Sequence, residues 1–272
     1  MRRERAISEV RHPFLIFWRF FLSTLRPGEL KRLCEIKKMR DSNNPALEPF
    51  GQALLAYWRG KKSAELIHEF KNGQKKPLPV SVFFRSHEGF LTTDNAVEYC
   101  RGHILVVGAG TGVHALELEK QGYDVTAIDI CPQAVQIMKE RGIKDARQQD
   151  FLHFNSKRFD TIFMLGHNIG MCESLNGIKG LLRRCERLLR PGGQLLVNSV
   201  KEPEVANSPR QKGYPGELEF RLSYERNVGP WMRWLHVDFK TLTSHALECG
   251  WSTEKLIETE DGGFLARLNP SL

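Results

Sequence analysis

His103-Ile104-Leu105-Val106-Val107-Gly108-Ala109-Gly110-Thr111-Gly112 is a five-residue run of largely apolar residues that breaks into three glycines spaced two apart. An apolar run this short, bounded by glycine, reads as a strand buried on both faces. The glycines let the chain turn tightly out of the strand, and the pattern from Val113 to Gln121 reads as a helix closed by Gly122. Asp124 to Ile128 then reads as a second strand, with Asp129 at its end. A glycine loop of this kind can lay a ligand on bare backbone beside a helix N-terminus, although tight turns also need glycine for structural reasons alone.

Downstream the alternation continues. Pro132 to Arg141 reads as a helix with proline at its start and Gly142 at its end, followed by strands near 145–149 and 159–165, a helix near 176–189 and a strand at 194–198. Strand and helix in repeated alternation predict a parallel sheet with helices on both faces. Two pairs of β-like runs close the chain, 218–225 with 231–237 and 254–259 with 264–268, the second pair joined by Asp261-Gly262-Gly263. Upstream, 46–58, 63–71 and 93–100 read as helices, and 71–79, with Asn72-Gly73 and two prolines, reads as a loop. The expected division is a basic helical segment over 1–45, a helical lead-in over 46–100 and a main domain over 101–272, with an inserted hairpin near 214–238.

Two ligands use a strand, glycine loop and helix followed by an acid that can accept from ribose hydroxyls: a dinucleotide and S-adenosylmethionine. The dinucleotide fingerprint wants a small residue at position 113, where Val113 stands, and the third glycine sits at 112 instead. The spacing favours adenosylmethionine. Further features follow in order: Asp150 in Gln148-Gln149-Asp150-Phe151, the strand Phe159-Asp160-Thr161-Ile162-Phe163-Met164, and Leu189-Arg190-Pro191-Gly192-Gly193. Over 100–200 the chain resembles the class I S-adenosylmethionine-dependent methyltransferases. That resemblance implies an α/β, doubly wound, Rossmann-like sheet of seven mostly parallel strands, with N-terminal helices and a small inserted hairpin.

The resemblance also implies roles. Gly108, Ala109, Gly110 and Gly112 would face the methionine part of the cofactor, Asp129 and Ile130 the ribose end, Asp150 the adenine amino group with Phe151 beside the ring, and Gly166 the methionine end from below. Arg85, in Phe83-Phe84-Arg85, holds the cofactor carboxylate or solvates a helix end; the residues favour neither. Methyl transfer is an in-line displacement in which alignment and exclusion of water matter most. A hydroxyl acceptor gains from a base, and His167 is the candidate for it, with a purely structural hydrogen bond as the rival reading. Asn168, Trp231 and Trp234 are candidate substrate residues, although tryptophans in strand positions also serve ordinary packing.

The loop His167-Asn168-Ile169-Gly170 lacks the acid or amide followed by two prolines and an aromatic that amino methyltransferases of DNA bases carry, so DNA is not expected as a partner. It also lacks the acidic pair of magnesium-dependent methyltransferases, and no metal is expected. A small-molecule acceptor is the leading expectation. The alternatives are RNA methylation through the basic N-terminus and a non-catalytic cofactor-binding regulator.

The net charge of +8 sits mostly in residues 1–41, which hold eleven Lys and Arg against five Asp and Glu, while the other 231 residues hold 29 against 27. A nucleic-acid argument from overall charge therefore fails. Residues 1–26 combine a broadly apolar helix with Arg2, Arg3, Arg5 and Arg11, which suits either packing on the domain or weak peripheral contact with an anionic membrane. Six cysteines without a C-x-x-C pair fit a reducing cytoplasm, and no run of 18 apolar residues exists to span a bilayer.

Overall fold

The computed structural model describes residues 44–85, 95–200 and 213–271. The expectations for 1–43, including the basic apolar helix of 1–26, lie outside the described residues. Asn44 accepts from the Ala46 N–H at 3.0 Å and opens a 3₁₀ turn, Pro45–Leu47, which runs into helix α1 (Glu48–Trp58).

The next expected helix is not there. Glu65–Phe70 is strand β1, and the expected loop holds strand β2 (Lys75–Pro79), the two forming an antiparallel hairpin about Asn72-Gly73. Leu66, Ile67 and Phe70 also fit a helical spacing, but Asn-Gly between two extended runs is a hairpin signal, and Gly73 supplies the positive φ of +87° that the turn requires. Pro77 and Pro79 are tolerated because β2 lies at a sheet edge. Of the expected helix at 93–100, the described residues from 95 form a single 3₁₀ turn, Ala96–Tyr99, and another such turn spans Val80–Phe84.

The main layer then follows the expected alternation: β3 (His103–Val107), α2 (Val113–Lys120), β4 (Asp124–Asp129), α3 (Pro132–Glu140), β5 (Ala146–Gln148), β6 (Phe159–Met164), α4 (Leu175–Leu188) and β7 (Leu189–Val200). After the insert of β8 (Glu217–Tyr224), β9 (Asn227–Val228) and β10 (Met232–Leu235) come α5 (Phe239–Glu248), β11 (Trp251–Glu258) and β12 (Gly263–Pro270). Seven strands pair in the order β11-β12-β7-β6-β3-β4-β5. The contacts among β5, β4, β3, β6 and β7 are all parallel, and β12 is antiparallel to both of its neighbours. Ile104 and Val106 face a core shared with Ala115, Leu118, Val135 and Met138 of α2 and α3, while Leu105 and Val107 face one shared with Ile178, Leu182 and Leu242 of α4 and α5. Burial on both faces is why these strands are continuous apolar runs rather than alternating ones.

The inserted hairpin forms, but it does not stand alone. β8 pairs with β10 on one edge and with β1 on the other, giving an antiparallel second sheet ordered β10-β8-β1-β2, with β9 beside β8. Leu66, Leu218, Phe220 and Leu222 of this sheet share a core with Leu54 of α1 and with Cys131 and Ala134 at the start of α3. The lead-in and the insert, whose paired residues Phe70 and Phe220 stand 150 positions apart in sequence, are thus one layer. α1 lies alongside α3: Gly51 faces Cys131 and Gln133, and the Trp58 indole donates to Glu140.

Candidate active site

The glycine loop leaves β3 with Gly108, Gly110 and Gly112 all in the left-handed region, at φ +62°, +57° and +83°. An L side chain there costs about 1 kcal/mol or more. Space separates the three. A Cβ on Gly108 would overlap the Asn168 amide and one on Gly112 would overlap Ile143 and Met138, whereas one on Gly110 would meet no atom within 4 Å. Gly108 and Gly112 are therefore packing glycines, and Gly110 is the one that leaves backbone uncovered. Ala109 donates its N–H to the Ile128 carbonyl at 3.0 Å, tying the loop to the end of β4. Thr111 donates its hydroxyl to the Phe83 carbonyl, and Arg141 donates to the Thr111 carbonyl at 2.8 Å, so the segment ahead of Arg85 docks on the same loop. Arg85 itself is exposed just beyond it.

Asp129 ends β4 with its carboxylate turned toward the loop. One oxygen accepts the Gly110 N–H and the other the Cys131 N–H, both at 2.8 Å. Only 7% of the residue is exposed, and burial pushes its pKa up while the backbone N–H groups pull it back. Each oxygen has a further lone pair, so the carboxylate can take hydroxyl donors besides those two. Ile130 follows, half-buried, its carbonyl accepting from the Gln148 amide at 3.5 Å.

Asp150 uses both oxygens locally, accepting from the Leu152 N–H at 2.9 Å and pairing with the His153 ring at 2.6 Å. This makes it the centre of an Asx turn. Phe151, 4% exposed, packs in the core with Phe154, and its carbonyl accepts from Arg184 Nε at 3.2 Å.

The turn after β6 contains Gly166, His167 and Asn168. Gly166 and His167 are both left-handed, at φ +70° and +60°, and the His167 N–H donates to Asn198 of β7 at 3.0 Å. Asn168 donates to the carbonyls of Val107 and Gly108 at 3.1 and 2.9 Å. Read as a substrate residue in the sequence, Asn168 here ties the β6 turn to the glycine loop. The His167 ring lies 5.3 Å, centroid to centroid, from His236, which follows β10. Burial pushes both imidazoles down to about 4, so both are neutral at pH 7. The Nδ1 atom of each is buried and has no hydrogen-bond partner among the described residues.

His236 escapes a reading of the sequence. No motif surrounds it, and only the docking of the second sheet brings it to the β6 turn. Trp234 reaches the same turn, its indole lying where a Cβ on Gly170 would stand. Trp231 is placed elsewhere, between the Lys71 ammonium at 4.2 Å and the Arg221 guanidinium at 4.8 Å from its ring centre. The structure thus brings Gly110, Asp129, Gly166, His167 and Asn168 into one linked group of loops, adds His236 and Trp234, and sets Trp231 among the cations of the second sheet.

A methyltransferase domain family model matches residues 105–197. The crystal structure of a SAM-dependent methyltransferase from Bacteroides fragilis, in complex with S-adenosyl-L-homocysteine, superposes with a TM-score of 0.75 at 34% identity, covering 84% of this chain and 96% of that one. The demethylmenaquinone methyltransferase of Tropheryma whipplei is 33% identical over 116 residues, 41% of this chain and 47% of that protein, so the match spans about half of that relative's length. The ubiquinone biosynthesis O-methyltransferase of Xanthomonas oryzae pv. oryzae is 25% identical over 182 residues, 62% of this chain and 69% of that protein. Superposition over nearly the whole length of the Bacteroides protein at 34% identity, on a seven-stranded sheet with one reversed strand, places this chain in the family of SAM-dependent methyltransferases.

Proposed function

We propose that the chain transfers a methyl group from S-adenosylmethionine to a small molecule. The observation that carries this is the pairing of uncovered backbone at Gly110 with the Asp129 carboxylate, joined by one hydrogen bond and both facing the loop after β3. A Cβ would fill the space over Gly110, and Asp129 keeps lone pairs for hydroxyl donors, so the residues fit the cofactor. Gly108, Ala109, Gly110 and Gly112 would hold its methionine part together with Gly166 and Arg85, Asp129 and Ile130 its ribose, and Asp150 and Phe151 its adenine. Bound there, it supplies a methyl group on a sulfonium. The chain's own part is to fix the loops, through Asn168 on Gly108 and Thr111 on Phe83, to keep water from the reacting atoms, and to take up a proton at His167 when the acceptor loses one.

The names of the two curated relatives, both small-molecule methyltransferases, support a small acceptor. Among the described residues no helix is long and apolar enough to cross a membrane. The proposed setting is the cytoplasm, on the pattern of six cysteines without a C-x-x-C pair, with residues 1–26 packed on the domain rather than on a membrane. Incubating the purified chain with methyl-labelled S-adenosylmethionine and fractionated cell extract tests the reading. Label is expected in a low-molecular-weight fraction. Label in RNA or protein, or binding without transfer to any fraction, would overturn it.

A further inference from the structure

We propose that the methyl acceptor is a hydroxyl compound and that His236 joins His167 in binding its oxygen. This rests on the methyltransferase reading above and adds the acceptor atom and a second residue to it. The two imidazoles arrive from different layers. His167 opens the turn after β6 and is held by Asn198 of β7, while His236 leaves the second sheet after β10 with its N–H on the Gly216 carbonyl at 2.8 Å. Their rings meet at 5.3 Å, tilted by 53°, and each keeps a buried Nδ1 without a partner among the described residues. A buried polar atom in that state costs stability, and two side by side at the end of β6 constitute a paired demand for a ligand with polar atoms.

The type of ligand follows from the inventory. A neutral imidazole offers one donor and one acceptor nitrogen, so two neutral rings can accept the proton of a hydroxyl and donate to its lone pair. An ammonium offers donors only, so it could use the acceptor nitrogens of the two rings but would leave their N–H groups unpaired. The acid whose charge reaches His167 is Asp261, in the turn between β11 and β12; it is exposed, and one of its oxygens accepts from the Thr259 hydroxyl and the Gly263 N–H. In the step itself, the hydroxyl proton passes to an imidazole nitrogen, its bonding pair remains on oxygen as the nucleophile, and the imidazolium later returns the proton to solvent. Burial keeps both rings neutral, each with a nitrogen lone pair for the proton, but it also disfavours the imidazolium, so the proton is held only transiently.

The test uses the full chain labelled with nitrogen-15 in its nine histidines and saturated with S-adenosylhomocysteine. Phenol is the hydroxyl probe and benzylamine the cationic one, followed by long-range proton–nitrogen spectra of the imidazoles. His236→Gln, with His236→Asn as a second variant, and His167→Gln assign the signals. Phenol is expected to move the His167 and His236 signals together and saturably, while benzylamine leaves them in place. With the labelled extract fraction, His236→Gln should lower kcat/KM for the acceptor about tenfold, the scale of one lost hydrogen bond, at unchanged S-adenosylhomocysteine affinity. A response to benzylamine instead of phenol, or to neither, would overturn the proposal while leaving the methyltransferase reading intact. Failure of S-adenosylhomocysteine to bind, seen in the same sample before any probe is added, would remove both.

Discussion

At the scale of single residues, the three loop glycines are distinguishable by experiment because they are glycine for different reasons. Gly110→Ala puts a methyl into open space at φ +57°, so the fold should lose only the left-handed penalty of about 1–2 kcal/mol. S-adenosylhomocysteine affinity should fall as well, by at least about tenfold, because the methyl occupies the proposed ligand space. Calorimetry beside denaturant unfolding separates the two quantities, and an unchanged affinity would contradict the assignment. Asn168 offers a sharper contrast. Its amide donates to two carbonyls, so Asn168→Ala loses donors, whereas Asn168→Asp sets a carboxylate against the oxygens of Val107 and Gly108. Asp should therefore be worse than Ala in unfolding free energy by about 1–3 kcal/mol, although it is the closer match in shape. Equal losses would mean that the amide is not holding the glycine loop.

At the scale of elements, the second sheet supports the main layer by lending it polar groups as well as apolar surface. α4 starts after Ser174, whose side chain makes no cap, and the missing acceptor comes from Glu217 of β8, which takes the Leu175 N–H at 2.9 Å. A carboxylate at a helix N-terminus satisfies an orphan donor and opposes the helix dipole favourably. Glu217→Ala should lower stability by about 1 kcal/mol, and Glu217→Gln, which keeps an oxygen but no charge, by less. Thermal unfolding of the two variants checks the order; Gln as costly as Ala would place the effect in charge alone. The β10 end works similarly on the β6 turn. Gly170 leaves room for the Trp234 indole, so Gly170→Val should overpack the contact and cost about 1–3 kcal/mol.

At the scale of the whole molecule, three half-buried histidines set an acid limit. His68 in β1, His167 and His236 are all pushed down to about 4 from an ordinary 6.5 by burial. A group with a depressed folded-state value binds its proton first in the unfolded chain. The stability it holds is present above 6.5 and is lost as pH falls toward 4. Unfolding free energy from denaturant titration should therefore decline between pH 7 and 5, by at most about 1.4 kcal/mol per pH unit for each imidazole. This precedes the loss expected from the hydrogen-bonded carboxylates Asp145 and Asp238, whose values are held below the usual 3.8. His68→Phe, placed between Phe70 and Phe220, should flatten the decline without touching the active site. A flat profile in the unaltered protein would show that the rings are solvated.

The main layer was legible in the sequence because its signals are local: the three glycines at 108, 110 and 112, the acid closing β4, and apolar runs whose length and flanks admit little but a buried strand. The packing duties of Gly108 and Gly112, and the uncovered backbone at Gly110, were not legible, since Asn168, Ile143 and Met138 are their neighbours only in the fold. The second sheet was half legible. The 218–237 hairpin could be read, but Glu65–Phe70 could not, because six residues fit a helix and a strand about equally until β2 and β8 offer them hydrogen bonds on both edges. The same long-range pairing carries His236 and Trp234 to the turn after β6 and leaves Trp231 between Lys71 and Arg221. Sequence by itself thus determined the fold class and the glycine turn that leaves β3, which rest on neighbours within a few tens of residues. Tertiary structure alone decided which side chains meet at the β6 turn, because those contacts join segments that no local periodicity connects.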